Sequence, residues 1–299
     1  MLGDDLRWFI TLAELEQVTA AADELHIAQP TLSRMLARLE RRLNAELFDR
    51  RGKRIALNRF GRIYYERARR AQAELDAAQR EIGDLIDPAQ GTVALSFLHS
   101  FGVRLVPALI AQFRTQSPRV TFTLTQDAAD AVTRRVTTGE ADLAIVSPRP
   151  AGSTVAWRRL MLQRLALAVP ATHRFADRRQ IGLADAIDEP FIAMHPDFGM
   201  RRILEELCAA AHFRPRVTFE SSELGTVAGL VSAGLGVAVL PVDDQPQLPP
   251  GLVLIPLVDA GATREIGVIW NPDRPLSRPV RAFRDFVEEW STRPDQLRA

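Results

Sequence analysis

The chain has 299 residues, of which 46% are apolar and 25% charged, as is typical of a globular protein with about two domains. Its one cysteine, Cys208, excludes an internal disulfide and a four-thiolate zinc site, and it indicates an intracellular protein. The net charge is only +1, yet the segment from Arg34 to Arg70 carries thirteen basic and four acidic side chains, so the rest of the chain is acidic. This asymmetry is expected when only one part of a protein contacts phosphate.

Neither export nor a membrane location is expected. The N-terminal segment MLGDDLRWF is acidic and lacks the basic region and apolar core of a secretory signal. The 19 residues from 224 to 242 carry no charge, and their length alone would allow a membrane span. Because they contain four glycines and a proline and divide into a helix followed by a strand, we predict a buried segment of a cytoplasmic protein with no membrane partner.

Three short helices are predicted before residue 44. Apolar residues at helical spacing indicate a first helix that ends near Leu15 and a second from Val18 to Leu25. The pattern then breaks, and Pro30 lies where proline is best tolerated, in the first turn of a third helix that begins near Gln29. The buried stripe of this third helix is Leu32, Met35, Leu36, Leu39 and Leu43.

The other faces of the third helix are polar and cationic, which favours a helix-turn-helix that reads DNA. Base edges in the major groove offer hydrogen-bond acceptors and methyl groups, and the flanking phosphates attract cations. We predict that Gln29, Ser33 and Arg34 read bases and that Arg38 contacts phosphate. A small helical bundle with a solvated arginine face is the alternative for this stretch.

A small β-wing is predicted directly after these helices. Asn44 tolerates the left-handed conformation that ends a helix, and residues 46–58 form two apolar-alternating arms around Gly52. Basic residues cluster at the tip, where they could reach backbone phosphates or a minor groove: Arg50, Arg51, Lys53 and Arg54. The alternative is a charged hairpin tip that is only solvated.

A long helix follows, capped by Asn58 and ended near Asp87, where Pro88 follows. Apolar residues recur every three or four positions along it, at Tyr64, Ala68, Ala71, Leu75, Ala78, Ile82 and Leu85. This heptad seam in a helix of about 28 residues, roughly 40 Å long, predicts pairing with a second copy of the chain. Packing on its own chain is the alternative, but no equally long helical pattern occurs elsewhere to receive it.

Strands and helices alternate beyond Gly91, which predicts parallel sheets covered on both sides. A first set comprises strands at 92–97, 120–125 and 141–146 with helices at 103–115 and 128–138. After strands near 155–169, a second set comprises strands at 191–194, 217–220 and 237–240 with helices at 200–211 and 224–233. Two similar halves indicate two lobes with a cleft between them, and a last strand at 265–270 and a helix at 278–290 could complete either lobe.

Ligands of open parallel sheets bind beyond the carboxyl ends of the strands, next to helix N-termini. The residues at these ends are mostly polar and uncharged, which suits a small molecule. The candidate ligand-contacting set is His99, Ser100, Phe101, Gln126, Ser147, His195, Phe198, Gly199, Ser221 and Ser222. Taken one at a time, each is more simply an ordinary loop or capping residue.

The chain resembles LysR-type transcriptional regulators over essentially its whole length. The resemblance rests on AADELHIAQPTLSRMLARLERRL, on ELFDRR, on the long helix, and on EADLAIVSP and LVSAGLGVAVLP. It implies a two-domain chain of mixed α+β and α/β class: a winged helix-turn-helix at 1–58, a linker and dimerisation helix with a hinge at 59–90, and a periplasmic-binding-protein-like effector-binding domain at 91–299. The first lobe of that domain would span about 91–162 and 268–299, and the second about 163–267.

The resemblance also implies partners and residue roles. By position, the DNA-reading part of the family motif falls on Gln29, Pro30, Thr31, Ser33 and Arg34. The implied partners are promoter DNA, a small-molecule inducer, RNA polymerase and further copies of the chain in a homodimer or homotetramer. An inducer bound between the lobes is expected to change the packing of the effector domains, and hence the spacing at which two recognition helices dock in successive major grooves.

Some positions mark a subgroup or depart from the family pattern. The segments FLHSFG and LTQ resemble the subgroup of glutamate-synthase regulators, and Ser100 falls where many members have an inducer-contacting Ser or Thr. His99 and the Ala128–Ala129 pair replace small hydroxyl or glycine residues that are common at these positions. The inducer is therefore expected to differ from the better-known aromatic acids.

An α/β enzyme is the main competing function class. The sequence contains no P-loop, GxSxG or HExxH motif, and Gly234 and Gly236 lack the third glycine of a dinucleotide fingerprint. The five histidines have no metal-ligand spacing, and Cys208 has no second redox cysteine. We predict no catalytic residue, no cofactor and no metal. A small-molecule binding protein with a basic helical appendage is the other alternative, against which the absent export signal and the basic N-terminal module argue.

Overall fold

The computed structural model describes residues 2–51, 54–86, 90–152, 154–242 and 248–292. These residues form two compact units, one consisting mainly of residues up to Ile82 and the other mainly of residues from Gly83. The N-terminal unit contains α1 (Leu2–Leu15), α2 (Val18–Glu24), α3 (Gln29–Leu43), β1 (Phe48–Arg51), β2 (Arg54–Leu57) and most of α4 (Arg59–Ile86). Because β1 and β2 pair antiparallel directly after α3, the predicted winged helix-turn-helix is confirmed.

Two residues with positive φ turn the chain where the sequence predicted breaks. His26 (φ 53°) lies between α2 and α3, and the Ile27 N–H donates to the Ala22 carbonyl at 3.0 Å. Asn44 (φ 49°) ends α3, and its N–H donates to the Arg41 carbonyl. Asparagine is among the few side chains that adopt this backbone conformation readily, so the helix ends where the pattern indicated.

Asn58 fixes the start of α4 against the wing. Its Oδ1 accepts the Gly61 N–H at 2.9 Å, and its Nδ2 donates to the Glu46 carbonyl at 2.8 Å. A cap of this type stabilises a helix by about 1 kcal/mol. The second hydrogen bond ties the helix to the segment that leads into β1.

The first turns of α4 pack on the core of their own unit, which corrects part of the predicted seam. The Phe9 ring is fully buried and lies 4.9 Å from the Tyr64 ring, edge to face. Ala68 is 3% exposed and belongs to the same apolar cluster. Tyr64 and Ala68 were predicted to face a second subunit, but Ala68 is a core residue here and the half-buried Tyr64 packs against the same core, next to Phe9 of α1.

The C-terminal unit alternates strands and helices. Its elements are β3 (Gly91–Leu98), α5 (Leu105–Gln116), β4 (Val120–Asp127), α6 (Ala129–Thr138), β5 (Leu143–Val146), β6 (Ala156–Pro170), β7 (Pro190–Met194), α7 (Gly199–Ala210), β8 (Arg216–Ser221), α8 (Leu224–Ser232), β9 (Ala238–Pro241), β10 (Leu252–Pro256), β11 (Thr263–Trp270) and α9 (Arg278–Trp290). Short 3-10 helices lie at His99–Phe101 and Leu183–Ala186. β10 has no counterpart in the sequence prediction.

The main sheet is mixed: β3, β4 and β5 are parallel as predicted, and antiparallel strands extend the sheet beyond β5. Its strand order is β10-β6-β11-β5-β3-β4, with β9 also paired to β6. β3 runs parallel to β4 and β5, but β11 is antiparallel to both β5 and β6. The parallel pair β7 and β8 forms a separate small sheet. The antiparallel pairing arises because β11 runs alongside the long strand β6 in the opposite direction.

Two apolar cores define two lobes within this unit. Leu160 on β6 and Ile266 on β11 belong to the core of the first lobe, whereas Leu165 and Ala262 belong to that of the second. β6 therefore crosses from the first lobe to the second, and the chain returns to the first lobe between Ala262, just before β11, and Ile266 on that strand. α9 packs in the first lobe, with the Phe283 ring 5.0 Å from that of Phe113.

Candidate DNA interface and ligand cleft

The first turns of α3 present a polar surface to solvent. Gln29, Pro30 and Arg34 are exposed, and Thr31 and Ser33 are half-buried. The Gln29 Nε2 donates to the Ser33 Oγ at 3.2 Å, and the Arg34 Nε donates to the Pro30 carbonyl at 3.3 Å. Both bonds join groups of one exposed helix, so water or a base edge can replace them at small net cost. The predicted base-reading residues thus share one accessible face.

Arg38 lies one turn further along α3 and forms an ion pair with Asp5 of α1. Its Nη2 is 2.9 Å from Oδ1 and 3.0 Å from Oδ2 of Asp5, and the two side chains are 63% and 35% exposed. An ion pair this exposed stabilises by at most about 1 kcal/mol, so a phosphate can compete for the guanidinium. Asp5 is 33 positions away in sequence, and the helical pattern carries no sign of this contact.

The wing tip lies largely outside the described part of the structure. Arg50, Arg51 and Arg54 lie on β1 and β2, where only their backbone is described, and Lys53 is outside the described residues. The Ile55 N–H donates to the Glu16 carbonyl at 2.9 Å, which holds β2 against the end of α1. Phosphate contact by these four basic residues stays a prediction.

The outer part of α4 exposes apolar side chains. Leu75 and Ile82 are 46% and 57% exposed, and Ala71 and Ala78 are also exposed. The side chain of Leu85 is not described. Because large exposed apolar side chains on one helix are typical of an interface, the seam beyond Ala68 remains a candidate pairing surface.

A cleft of about 730 Å³ lies between the two lobes, within the size range of small-molecule sites. Six of the ten predicted ligand-contacting residues line it: His99, Ser100, Ser147, Phe198, Gly199 and Ser222. The lining is otherwise mainly apolar. The topology therefore brings residues from four separate strand ends to one cavity.

Two buried polar atoms in the cleft wall have no hydrogen-bond partner among the described residues. Ser147, at the end of β5, is 3% exposed, and its Oγ is unpartnered. The Nδ1 of His99 is buried in the same way. A buried polar group without a partner costs about 1–3 kcal/mol.

Two helix N-termini face the cleft without a side-chain cap. Phe198 precedes α7 and Glu223 precedes α8, and neither side chain accepts from the first turn that follows. Gly199, the first residue of α7, lies so close to the end of β5 that a Cβ there would be 2.6 Å from the Ser147 carbonyl oxygen and 2.4 Å from the Pro148 Cδ. Only glycine allows the second lobe to approach the first this closely.

The other four predicted residues lie outside the cleft lining. Phe101 is buried in the first-lobe core and borders a smaller cavity of about 150 Å³. Gln126 is exposed, and the His195 Nδ1 lies 3.7 Å from the Glu220 Oε2. The Ser221 Oγ accepts the Glu223 N–H at 3.3 Å. For these four, the ordinary loop, core or capping role describes the contacts.

Sequence reasoning missed the charged residues of the cleft, of which Arg264 is the most buried. It is 4% exposed, its Nε donates to the Gln163 Oε1 at 2.7 Å, and its guanidinium lies 5.2 Å from the centre of the Phe101 ring. The strand alternation carried a usable signal, because Arg264 shares a face with Ile266 and Val268. Three further charged residues line the cleft: Arg104, Asp127 and Glu223.

The described residues show no sign of metal or thiol chemistry. Among them, no group of three or more His, Cys, Asp or Glu side chains could hold a metal ion. Cys208 is fully buried, and burial raises the pKa of its thiol to about 12, so the reactive thiolate is scarce at neutral pH. No helix in the described part of the chain is both long and apolar enough to cross a membrane.

Both parts of the chain match family models. Residues 4–62 match the bacterial regulatory helix-turn-helix protein model of the lysR family, and residues 87–292 match the LysR substrate binding domain. The chain belongs to the LysR family of transcriptional regulators. The predicted family is confirmed, and because that family consists of transcriptional regulators, the enzyme alternative is set aside.

Known proteins match this LysR-family regulator over almost its whole length. It is 36% identical to the uncharacterized HTH-type transcriptional regulator YybE of Bacillus subtilis (strain 168), over 96% of this chain and 98% of that protein. It is 32% identical to the transcriptional dual regulator GltC of the same organism, over 97% and 98%. Full-length CbnR, solved in complex with its target DNA, matches the fold with a TM-score of 0.74 at 20% identity, covering 97% of this chain and 100% of CbnR.

Proposed function

We propose that this LysR-family regulator reads promoter DNA with the first two turns of α3, and that a small-molecule inducer in the cleft controls the geometry of that binding. The observation that carries the proposal is the pairing of two sites in one chain. One is an exposed polar helix face in the basic N-terminal unit. The other is a cleft between two lobes whose wall holds polar atoms that have no partner within the described part of the chain.

The chemistry of α3 suits base recognition in the major groove. The carboxamide of Gln29 can both donate to and accept from an adenine, and the guanidinium of Arg34 can donate two parallel hydrogen bonds to a guanine. The hydroxyl of Ser33 adapts to either kind of base. Arg38 and the basic residues of the wing contact phosphate in this proposal, which positions the helix without reading sequence.

The inducer acts by binding one arrangement of the lobes more tightly than another. A ligand shifts a conformational equilibrium only through such a difference in affinity. A change in the separation of the lobes would first alter the close contact between Gly199 and the end of β5. In an assembly of several copies, altered packing of the effector domains changes the spacing of the DNA-binding heads.

Assembly is part of the proposal. The exposed apolar residues of α4 beyond Ala68 pair with a second copy, so that two α3 helices reach two half-sites. A homotetramer would double this arrangement, and RNA polymerase is a further partner at the promoter. We place this regulator in the cytoplasm, in line with its proposed binding to promoter DNA.

Gel shifts with Arg34→Ala test the DNA-reading role. Overlapping DNA fragments from the regions that flank the gene of this protein are first used to identify a bound site. Single base pairs of that site are then varied. Loss of a base-reading side chain costs about 1–3 kcal/mol at one base pair, so Arg34→Ala should lower affinity for the wild-type site and abolish discrimination at that pair only.

Arg42→Ala is the matched control, since it removes the same charge from the exposed last turn of α3. It should weaken all site variants to a similar small extent. A uniform loss with Arg34→Ala would refute the base-reading role of Arg34. If folded protein bound none of these DNA fragments in low salt, the proposed function would be refuted.

A further inference from the structure

We propose that Arg41, in the last turn of α3, is a further DNA contact of this regulator and binds a backbone phosphate at the rim of the groove that the start of α3 enters. The proposal rests on the proposed role of α3 in reading promoter DNA, and it adds a residue beyond the first two turns. It stands on three features: the helix face on which Arg41 lies, the direction of its side chain, and its distance along the helix from Arg34.

Arg41 lies on the same exposed face of α3 as Arg34. Four residues at successive spacings of four, three and four positions share this face: Pro30, Arg34, Ala37 and Arg41. All four are exposed, whereas Leu39, on the opposite side of the helix, is buried. A duplex that docks against Arg34 therefore also faces Arg41.

The Arg41 side chain runs back along α3 toward the start of the helix. Its Nε donates to the Ala37 carbonyl at 3.2 Å, in the same way as the Arg34 Nε donates to the Pro30 carbonyl at 3.3 Å. The two guanidinium groups therefore follow one another along a single line of the helix surface. Within the described part of the chain neither of them forms an ion pair, so both positive charges are available to DNA.

The distance between the two arginines determines what each of them can reach. A helix rises about 1.5 Å per residue, so the seven positions from Arg34 to Arg41 span about 10 Å. Recognition helices contact base edges mainly with their N-terminal residues, in a major groove about 12 Å wide. When Arg34 lies at a base edge, Arg41 therefore lies near the rim of the groove. The charged groups of DNA at that rim are the backbone phosphates, which attract a guanidinium.

A purely structural role at the C-terminus of α3 is the alternative for Arg41, because a cation in the last turn stabilises a helix. The contacts of the described residues do not favour this alternative. The Arg41 and Glu40 carbonyls already accept the N–H groups of Asn44 and Ala45, at 3.3 and 3.2 Å. The Arg41 guanidinium instead bonds one turn earlier in the helix.

Arg42 separates the two roles, because it shares the last turn of α3 but not the exposed face of Arg34. Adjacent residues of a helix point about 100° apart. Arg42 borders a small cavity of about 60 Å³ that Leu6 of α1 and Tyr64 of α4 also line, so it lies on the side of α3 that faces these helices. It has the same charge and the same position relative to the helix dipole as Arg41, which makes Arg42→Gln the matched control.

The salt dependence of DNA binding tests the proposal on the full-length protein. The probe is a fluorescently labelled duplex that carries the bound site identified by the gel shifts, and fluorescence anisotropy gives its affinity at several salt concentrations. A single phosphate contact contributes about 0.9 to the slope of log affinity against log salt. Arg41→Gln should therefore lower this slope by about 0.9 for each copy of the chain on the DNA.

The loss of affinity should itself depend on salt. For each bound copy, Arg41→Gln should weaken binding about eightfold at 0.1 M salt and about fourfold at 0.2 M, since the effect of one contact with this slope fades toward 1 M. Arg42→Gln should keep the wild-type slope and lose only a little affinity. Arg41→Lys should keep most of the slope, because a lysine also binds phosphate as a point charge. Thermal unfolding should give similar midpoints for Arg41→Gln and Arg42→Gln.

Equal slopes in Arg41→Gln and Arg42→Gln overturn the proposal, as does a loss in Arg41→Lys as large as that in Arg41→Gln. A loss confined to one base pair of the site assigns Arg41 to base reading and overturns the phosphate contact as well. The wild-type protein separates these results from the fate of the proposed function. If it discriminates its site while Arg41→Gln behaves like Arg42→Gln, the proposed function stands and only this contact is wrong. If it binds no fragment, both fail.

Discussion

The two polar surfaces of this regulator differ in how their polar groups are satisfied. On α3 the side chains are exposed, and they bond to neighbours on the same helix or on α1, as Arg34 does to Pro30 and Arg38 to Asp5. In the cleft, Ser147 and His99 hold buried polar atoms that have no partner among the residues described. An exposed group exchanges one weak partner for another when it binds, whereas a buried one gains a partner for the first time. We therefore expect specificity to be spread over α3 but concentrated on a few atoms in the cleft.

The largest effect is expected from substitutions that remove a core side chain from one unit at a time. Phe9→Ala removes a fully buried ring that contacts Phe48 and Tyr64, and Phe283→Ala removes one that contacts Phe113 and Phe122. Each should lower the free energy of unfolding of its own unit by about 3–5 kcal/mol. Urea unfolding of the full chain measures the loss of stability in each variant. Gel shifts and ligand-induced stabilisation measure the function of each unit.

Each variant serves as the control for the other. Phe9→Ala should lose DNA binding and keep its ligand response, and Phe283→Ala should lose the ligand response first. If either variant lost both functions while its other unit stayed folded, the two sites would not have independent cores, and the comparison would fail.

A smaller effect is expected from Gly199→Ala. The added methyl group meets the Ser147 carbonyl and Pro148 at distances shorter than contact, so the lobes must separate slightly or the start of α7 must shift. We expect about a tenfold loss of affinity for a small molecule that binds in the cleft, or roughly 1.4 kcal/mol, in calorimetry.

Gly229→Ala is the control for this substitution. Gly229 lies in α8, outside the cleft lining, and a Cβ there meets no atom within 4 Å. Its ligand affinity should match the wild type. Unchanged affinity in Gly199→Ala would mean that the approach of α7 to β5 does not shape the ligand site.

The smallest effect concerns the exposed ion pair of α3. Asp5→Asn releases the Arg38 guanidinium from its carboxylate partner, so DNA affinity should rise about threefold, with a salt dependence steeper by about one phosphate contact. Fluorescence anisotropy at several salt concentrations measures both. Glu66→Gln, which removes an exposed acid from α4, controls for the change in net charge. An equal rise in the two variants would show that Arg38 contacts no phosphate.

The N-terminal unit was predicted closely because its signals are local. The proline of α3, the left-handed residue Asn44 and the cap at Asn58 each act within a few positions of the backbone they shape. The seam of α4 was predicted less well. Periodicity identifies an apolar face but not what covers it, and Tyr64 and Ala68 turned out to face their own core.

The cleft was predicted only in part, for a related reason. Strand ends indicated Ser147, Gly199 and four other lining residues, because the edge of a sheet follows from the order of its strands. Arg264 was missed, since no local pattern indicates that β11 is antiparallel to its neighbours. Arg104, the residue before α5, was missed as well.

By itself, the sequence indicated the family through its resemblance to LysR-type regulators. It also determined the recognition helix with its polar face and the existence of two α/β halves, because short-range periodicity and turn chemistry specify these elements. Only the tertiary structure decided which polar atoms are buried without a partner and how closely α7 approaches β5. Both depend on distances between residues about 50 positions apart, such as Ser147 and Gly199, and the free energy of those contacts is set by packing and not by local backbone preference.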